Sequence, residues 1–549
     1  MEITEIDNEA LNHASRLLGE RIGVYFPQEK WDLLKRGIKS ASGELGFSNV
    51  NEFLEKLQAP VLTREHIETL ASHLTVGETY FFRDDDFFRV LGEQILPELI
   101  KSCPPENRTL RIWSAGCSSG EEPYSIAILF TKLIPNIEEW SISIYGTDIN
   151  PDALSKASRG RYTEWSFRGV SGEIRKMFFK KTDENVYILD PVVKKLATFT
   201  YHNLAVDPFP SLLNNTTAMN LIVCRNVLMY FQQEMADRII GKFYNCLLDD
   251  GLLVVGPAEV SMGGNWPFNK VRRQGVTLLK KKIERPFISS HEAVDLQPAL
   301  SSHEVAPTQP RDRVASTPEP EAIESAEREV VKFDLPKRFD PGLASYHHTR
   351  SDNQSGQMEI TEESHPPDTV QYAEDELGTT LLEEVFACYE GGDYRLAKEK
   401  LLQIVGKKAF SKHGAAEKNK CYELLIRSCA NLGNYADARN WCEWAIAEYK
   451  LDPKLHFLMA AIQQEEGDVY GAIETLKKTV YLDQDLVIAH FVLGNLKRGL
   501  GKHTEADKHF VHALDRLGGC DDAEIIPGSD GLSVGRLADI IQFNMQGER

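Results

Sequence analysis

The sequence predicts an α/β Rossmann-like domain, with a small all-α region before it and an all-α array of repeated helix hairpins after it. Three observations carry this. First, a short apolar strand, Leu110–Trp113, runs through the glycine-bearing turn Ser114-Ala115-Gly116-Cys117-Ser118-Ser119-Gly120 into an apolar helical run, Ile126–Phe130. Strand, glycine turn and helix open a doubly wound nucleotide-binding sheet. Second, apolar strand candidates recur at Ser141–Thr147, Ala197–His202, Asn220–Cys224 and Leu252–Gly256, with helical stretches between them. That alternation implies a mostly parallel sheet covered on both faces. Third, four in-phase words begin at Gly392, Gly433, Gly467 and Gly501, each followed five residues on by alanine (Ala397, Ala438, Ala472, Ala506), and the last two intervals are 34 residues.

Each element follows in chain order. Residues 1–78 read as small helices, with apolar residues at helical spacing in Gln28–Ser42 and Val50–Gln58. The α/β domain spans 79–285. A piece near 163–195, with a helix at Gly172–Phe178 and short alternating strands, interrupts its rhythm as a small β insertion. Residues 286–375 are rich in Pro, Ser, Glu and His and lack apolar periodicity, the composition of a disordered linker. Residues 376–520 hold the hairpins: the glycine ends a first helix, and the small alanine lets the second approach it. Three to four such units suffice for a stable stack with a concave face. Residues 521–549 form a C-terminal tail.

Composition narrows the function. At 549 residues, two to four domains are expected. No run of eighteen apolar residues occurs, and the acidic start Met1-Glu2-Ile3-Thr4-Glu5 lacks the apolar core of a leader. The nine cysteines are scattered without a C-x-x-C pair, which argues for free thiols in a reducing cytoplasm and against a zinc site. A net charge of −20 disfavours nucleic acid and anionic membranes as partners.

The glycine loop is not G-x-G-x-x-G, and no Lys-Ser/Thr follows it. Glu121 and Glu122 stand where a phosphate would want positive charge, so the loop suits a cationic or uncharged ligand. Around it stand Thr79-Tyr80-Phe81-Phe82-Arg83-Asp84, Gly146-Thr147-Asp148-Ile149-Asn150, Gly160-Arg161-Tyr162, His202-Asn203-Leu204, Cys224-Arg225-Asn226-Val227-Leu228-Met229-Tyr230-Phe231 and Gly251–Glu259. Over roughly residues 15–285 this word set closely resembles the CheR family, the S-adenosylmethionine-dependent methyltransferases that esterify glutamates of bacterial chemoreceptors. The hairpin words are similar to tetratricopeptide repeats.

The resemblance implies a class I methyltransferase fold, S-adenosylmethionine as cofactor and S-adenosylhomocysteine as product. It places Thr79, Arg83, Ala115, Gly116, Glu121, Asp148, Asn203, Leu204, Arg225 and Asn226 at the cofactor, with Arg83 and Tyr230 closest to the chemistry. Arg83 and Arg225 are both candidates to orient carboxylates. Alternatives stay open: Asp148 is also placed to cap the following helix, Arg83 to pair with Asp84–Asp86, Arg225 and Asn226 to serve a structural network, Tyr230 to pack, and Phe81 and Phe82 to form interdomain core. The family usually has Asn where this chain has Gly77, two places before Thr79.

Family members meet the receptor through a basic helix, whose counterpart here is Lys35-Arg36-x-x-Lys39. Some also bind a receptor's C-terminal peptide through a glycine-rich turn of the insertion. The matching turn, Lys181-Thr182-Asp183-Glu184-Asn185, has no glycine, so a tether-independent enzyme is expected. The implied partner is the cytoplasmic part of a methyl-accepting chemoreceptor, with a cytoplasmic enzyme recruited to membrane receptor arrays and not inserted in the bilayer. A peptide or protein is expected on the repeat face, and cofactor binding is expected to survive deletion of 376–549. The competing readings are a same-fold methyltransferase for a small acid or nucleic acid, and a catalytically impaired adaptor acting through the repeats.

Overall fold

In the computed structural model, residues 6–282 and 371–546 are described, apart from 59–61, 76, 105–107, 212–213, 265, 407–409 and 411–413. The expected linker therefore lies outside the described residues except at its end, where a helix, Gln371–Glu390, has already begun.

Ten strands are described: β1 Thr109–Ala115, β2 Ser141–Asp148, β3 Arg161–Tyr162, β4 Phe179–Lys181, β5 Tyr187–Leu189, β6 Ala197–Tyr201, β7 Met219–Cys224, β8 Leu247–Val255, β9 Phe268–Arg273 and β10 Val276–Lys281. Seven form one sheet in the order β6-β2-β1-β7-β8-β10-β9. The first five are parallel, and β10 and β9 close one edge antiparallel. β1 and β7 are buried almost along their whole length, because helices cover both faces. The sequence reading missed the β9–β10 hairpin. Its turn, Gln274-Gly275, takes positive φ at both residues (44° and 92°), as a two-residue hairpin with right-handed strand twist requires.

β3, β5 and β4 make a separate antiparallel sheet. Phe81, from the segment before the α/β part, packs in its aromatic cluster with Tyr162, Phe167 and Phe179. Phe81 is thus core, tying this segment to the insertion. In the turn after β4, Asn185 supplies a positive φ of 58°, so a short polar side chain does what glycine does elsewhere.

The N-terminal helices Asn8–Ile22, Trp31–Glu44, Val50–Leu57 and Arg64–Leu74 bury Leu11, Leu18, Leu34, Ile38, Phe53 and Leu70 against one another. Asp7, Asn49 and Thr63 cap three of them by accepting backbone N–H groups. Gly23 ends the first helix at φ 76°, where a Cβ would run into the Phe231 ring.

The C-terminal region consists of four helix hairpins. Gly392, Gly433, Gly467 and Gly501 all adopt left-handed φ (79°, 73°, 82° and 72°), which explains the repeated glycine. The four repeated alanines are fully buried between paired helices. The stretch after 520 contains a further helix, Val534–Gln546. Among the described residues no helix is long and apolar enough to cross a membrane.

The hairpins pack directly on the α/β part. Arg111 on β1 pairs with Glu465, at the end of the helix Pro453–Glu465, and the two side chains are only 9% and 1% exposed. Arg111 also donates to the carbonyls of Thr217 (3.2 Å) and Asn215 (3.0 Å). Gln464 donates to the Asn215 side chain at 2.9 Å, and Asp530 accepts from Ser211 at 2.9 Å and from Arg427 at 2.7 Å. Removing the repeats would strip these buried charges of their partners.

Breaking such a pair leaves one desolvated charge. Glu465→Gln should therefore lower unfolding free energy in urea by about 3–5 kcal/mol, and the apolar pair Arg111→Met with Glu465→Leu should restore most of it. Equal stability of wild type and Glu465→Gln would mean that the pair is not desolvated.

Candidate active site

The site is built where the loops leaving β1, β2, β6 and β7 meet. After β1 the chain must turn back under the end of β2. The Gly116 and Cys117 N–H groups both donate to the Thr147 carbonyl, at 2.7 and 2.9 Å. Gly116 has φ 81°, and a Cβ there would collide with Val227 from the loop after β7. Gly120, at φ 89°, opens the helix Glu121–Leu133, and a Cβ there would sit 2.7 Å from that of Ala157. Both glycines are therefore dictated by close approach as well as by backbone conformation.

Asp148 closes β2. Its carboxylate accepts the Ser118 N–H at 2.8 Å and the Asn150 N–H at 2.9 Å. Asn150, not Asp148, caps the helix Pro151–Arg159. The capping alternative for Asp148 is thereby excluded; it binds loop amides and lines the cleft.

Thr79, Arg83, Gly116, Asp148, Asn203, Leu204, Arg225, Asn226 and Tyr230 line this single cleft, which holds about 1060 Å³ of space, part of it open to solvent. Two expected residues are not among the lining. Ala115 faces the sheet core with Trp113 and Tyr145. Glu121 is buried beneath the loop, accepting Ser119 Oγ at 2.8 Å and Ser166 Oγ at 2.9 Å, and burial pushes its carboxyl up. Its neighbour Glu122 takes the place expected of it. Glu122 lines the cleft, accepts Ser114 Oγ at 2.8 Å and stands 3.3 Å from Arg225 Nη1. One residue along a helix turns a side chain by about 100°, and two adjacent glutamates leave that phase unspecified in the sequence.

The two arginines differ. Arg225 donates to Asp84 Oδ2 at 2.8 Å, to Glu122 and to the Arg83 carbonyl, and its guanidinium lies over Phe87 at 4.2 Å. Its guanidinium is thus engaged by two protein carboxylates while it lines the cleft. Arg83 donates to the Glu78 carbonyl at 2.5 Å, while Asp84 is taken by Arg225 and Asp86 by Arg89. Among the described residues Arg83 forms no ion pair with Asp84–Asp86.

Asn226 adopts φ 60° because Glu259 holds the loop that carries it. Glu259 is 1% exposed and accepts the N–H groups of Asn226 (3.0 Å), Val227 (2.6 Å) and Gly256 (2.5 Å). Asn203 is also partly structural: its side-chain amide donates to the Arg21 carbonyl at 2.8 Å and its oxygen accepts Ala205 N–H at 3.0 Å. The Tyr230 carbonyl accepts the Tyr25 N–H at 2.8 Å, so the N-terminal helices form one wall of the cleft. At Gly77, Ser118 Oγ donates to the carbonyl at 3.2 Å.

Sequence reasoning passed over Ser118 and His202 as lining residues. His202 Nε2 is buried without a hydrogen-bond partner among the described residues, and burial pulls the imidazole down to about 4. Lys35, Arg36 and Lys39 lie on the helix Trp31–Glu44, outside the cleft lining, with Arg36 and Lys39 exposed.

Apolar walls at Ile22, Val24, Leu204 and Phe231, a carboxylate at the end of β2, and Arg83 fit a ligand with an apolar ring, hydroxyls and a carboxylate. A parallel sheet with a glycine loop after its first strand and this cleft defines the S-adenosylmethionine-dependent methyltransferases of class I. Residues 77–276 match the model described as CheR methyltransferase, SAM binding domain. The chain is 30% identical to the chemotaxis protein methyltransferase of Borreliella burgdorferi, over 47% of this chain and 90% of that protein. It is 33% identical to the probable chemotaxis protein methyltransferase of Rhizobium etli (43% and 87%) and 31% identical to that of Vibrio parahaemolyticus (50% and 96%). The chain belongs to the CheR family of chemotaxis methyltransferases.

An imidazole buried neutral gives a signed pH effect. Between about pH 6.5 and 4 the unfolded chain takes up a proton at His202 that the folded chain refuses, so stability falls as pH falls through that window and is unaffected above it. From pH 7 to pH 5, His202→Gln should lose roughly 2 kcal/mol less unfolding free energy than wild type. Parallel losses in the two proteins would place the acid sensitivity elsewhere.

Proposed function

We propose that this enzyme transfers the methyl group of S-adenosylmethionine to glutamate carboxylates in the cytoplasmic signalling part of a chemoreceptor. The observation that carries the reading is the convergence of Arg83, Asp148 and the Asn203–Leu204 turn on one cleft at the carboxyl end of the parallel strands. In this reading Arg83 pairs with the cofactor's carboxylate, since its guanidinium is a natural partner for one. Asp148 accepts the ribose hydroxyls with lone pairs its two amide partners leave over. Gly116, the Asn203–Leu204 backbone and Asn226 bound the rest of the cofactor, and Arg225 holds the segment around Arg83 in place. In this reading Tyr230, which lines the same cleft, meets the acceptor; burial raises its hydroxyl, so it stays protonated and serves as a donor.

When bound, the cofactor supplies a methyl group on a cationic sulfur. The acceptor glutamate, with an ordinary pKa near 4.3, is ionised at neutral pH, so no side chain has to act as base. The work left to the protein is orientation and exclusion of water. Lys35, Arg36 and Lys39 provide a basic helix face for an acidic receptor bundle.

The four hairpins read as a tetratricopeptide stack. In the second, consecutive residues Leu424–Asn431 of the helix Ala415–Asn431 are all buried. In the third, Phe457–Ile462 are likewise buried. The later parts of these two first helices are covered on all sides, which leaves their exposed beginnings and the second helices of the hairpins as the faces for a receptor or another protein.

Methyl-labelled cofactor and the signalling part of a receptor from the same cell should give label on the receptor that mild base releases as methanol. Arg83→Ala should raise the KM for the cofactor by about tenfold or more, the loss of one charged pair. No label and no cofactor binding by the wild-type chain would support an impaired adaptor instead. With Asn185 in place of glycine in the β4–β5 turn, a receptor's C-terminal pentapeptide should show no binding by calorimetry; tight binding would end the tether-independent reading.

A further inference from the structure

The helix Val534–Gln546 reaches the underside of the cleft. Arg536, in its first turn, donates Nε to Asp207 Oδ1 at 2.5 Å and Nη2 to Asp207 Oδ2 at 2.9 Å. Its guanidinium also lies 4.3 Å from the centre of the Tyr201 ring, with Asp539 at 3.7 Å. This is a planar fork on a carboxylate, with side chains 13% and 2% exposed. Asp207 does not belong to the repeats. It closes the turn after β6: its Oδ2 accepts the Asn203 N–H at 2.6 Å, and its own N–H donates to the Asn203 carbonyl at 2.8 Å. His202 Nδ1 lies 3.8 Å from the same oxygen. The three residues His202, Asn203 and Leu204 line the cleft.

One carboxylate therefore separates a C-terminal guanidinium from the cofactor wall. Lys242 is the other cation near Asp207, but its ammonium sits over the Phe209 ring at 4.7 Å. A carboxylate buried to this degree needs a partner in hydrogen-bonding contact. Without Arg536, Asp207 must relax toward water or toward His202, and either movement carries the Asn203 N–H with it.

We propose that Arg536 is a positioning residue of the cofactor cleft, supplied by the C-terminal helix, which holds Asp207 and through it the His202–Leu204 turn in the cofactor-binding shape. The docked C-terminal region is then part of the methyltransferase site. The inference rests on reading the cleft as the cofactor site.

The test uses the full-length chain, with binding of S-adenosylhomocysteine measured by calorimetry and KM and kcat measured with receptor. Arg536→Gln should raise the Kd and the cofactor KM together by about tenfold or more, with kcat at saturating cofactor and KM for receptor within about twofold of wild type. Arg536→Lys keeps a cation but only one of the two bonds, and should fall between. Arg395→Gln removes the pair with Asp249 elsewhere in the same interface and should leave cofactor affinity unchanged. If Arg536→Gln does not fold, the lysine variant decides alone: an intermediate Kd supports the assignment and a wild-type Kd overturns it. A folded Arg536→Gln with wild-type Kd, or a fall in kcat without a change in KM, also overturns it. Absence of binding by the wild-type chain would overturn the cleft reading itself, and this inference with it.

Discussion

Everything at the cleft depends on the pairing of β1 with β2 on one side and β7 on the other. The chain order reverses there, so the loop after β1 and the loop after β7 leave the sheet in opposite directions and a crevice opens between them. Register then does the placing. Ala115 stands opposite Thr147, which lets the next two N–H groups reach the Thr147 carbonyl and brings Ser118 to Asp148. The crevice is kept narrow by Gly116 against Val227, and it is closed on its third side by the N-terminal helices through Tyr25 and Phe231.

Around this crevice the buried carboxylates divide the labour by the kind of donor each meets. Glu259 takes backbone amides and fixes the Asn226 loop; Glu121 takes two serine hydroxyls and fixes the loop after β1 to the insertion. Glu122 shares Arg225 with Asp84, and Asp207 takes Arg536. In each case the satisfied carboxylate shapes a loop that lines the cleft. Apart from Glu122, which itself lines the cleft, these carboxylates specify the lining from behind it.

Much of this was legible because it is local. Short stretches of apolar residues marked β1, β2 and β7, each bounded by turn residues. Glycines with forced left-handed φ marked the hairpin turns, and Gly116 and Gly120 marked the loop. The β9–β10 hairpin escaped because Lys270, Arg272, Lys280 and Lys281 break its apolar pattern at the sheet edge. Glu121 was preferred to Glu122 because adjacent identical residues do not reveal which faces the core. The ion pairs of Arg225 were not legible because its partners, Asp84 and Glu122, lie more than a hundred positions away. The docking of the C-terminal region left no trace in the sequence: its buried ion pairs, Arg111 with Glu465 and Arg536 with Asp207, join residues far apart in the chain, and nothing local to either member names the other.

Those two pairs also set what kind of solution can disturb the joint between catalytic sheet and hairpins. Mobile ions screen charges across water over a distance of about 8–10 Å, and they do so poorly where water is excluded. Exposed pairs such as Arg89 with Asp86 are open to that screening, whereas Arg111 with Glu465 is sealed from it. Ionic strength, which loosens many charge-built interfaces, has little hold on that pair, whereas the exposed pair Arg395 with Asp249 in the same joint is open to it.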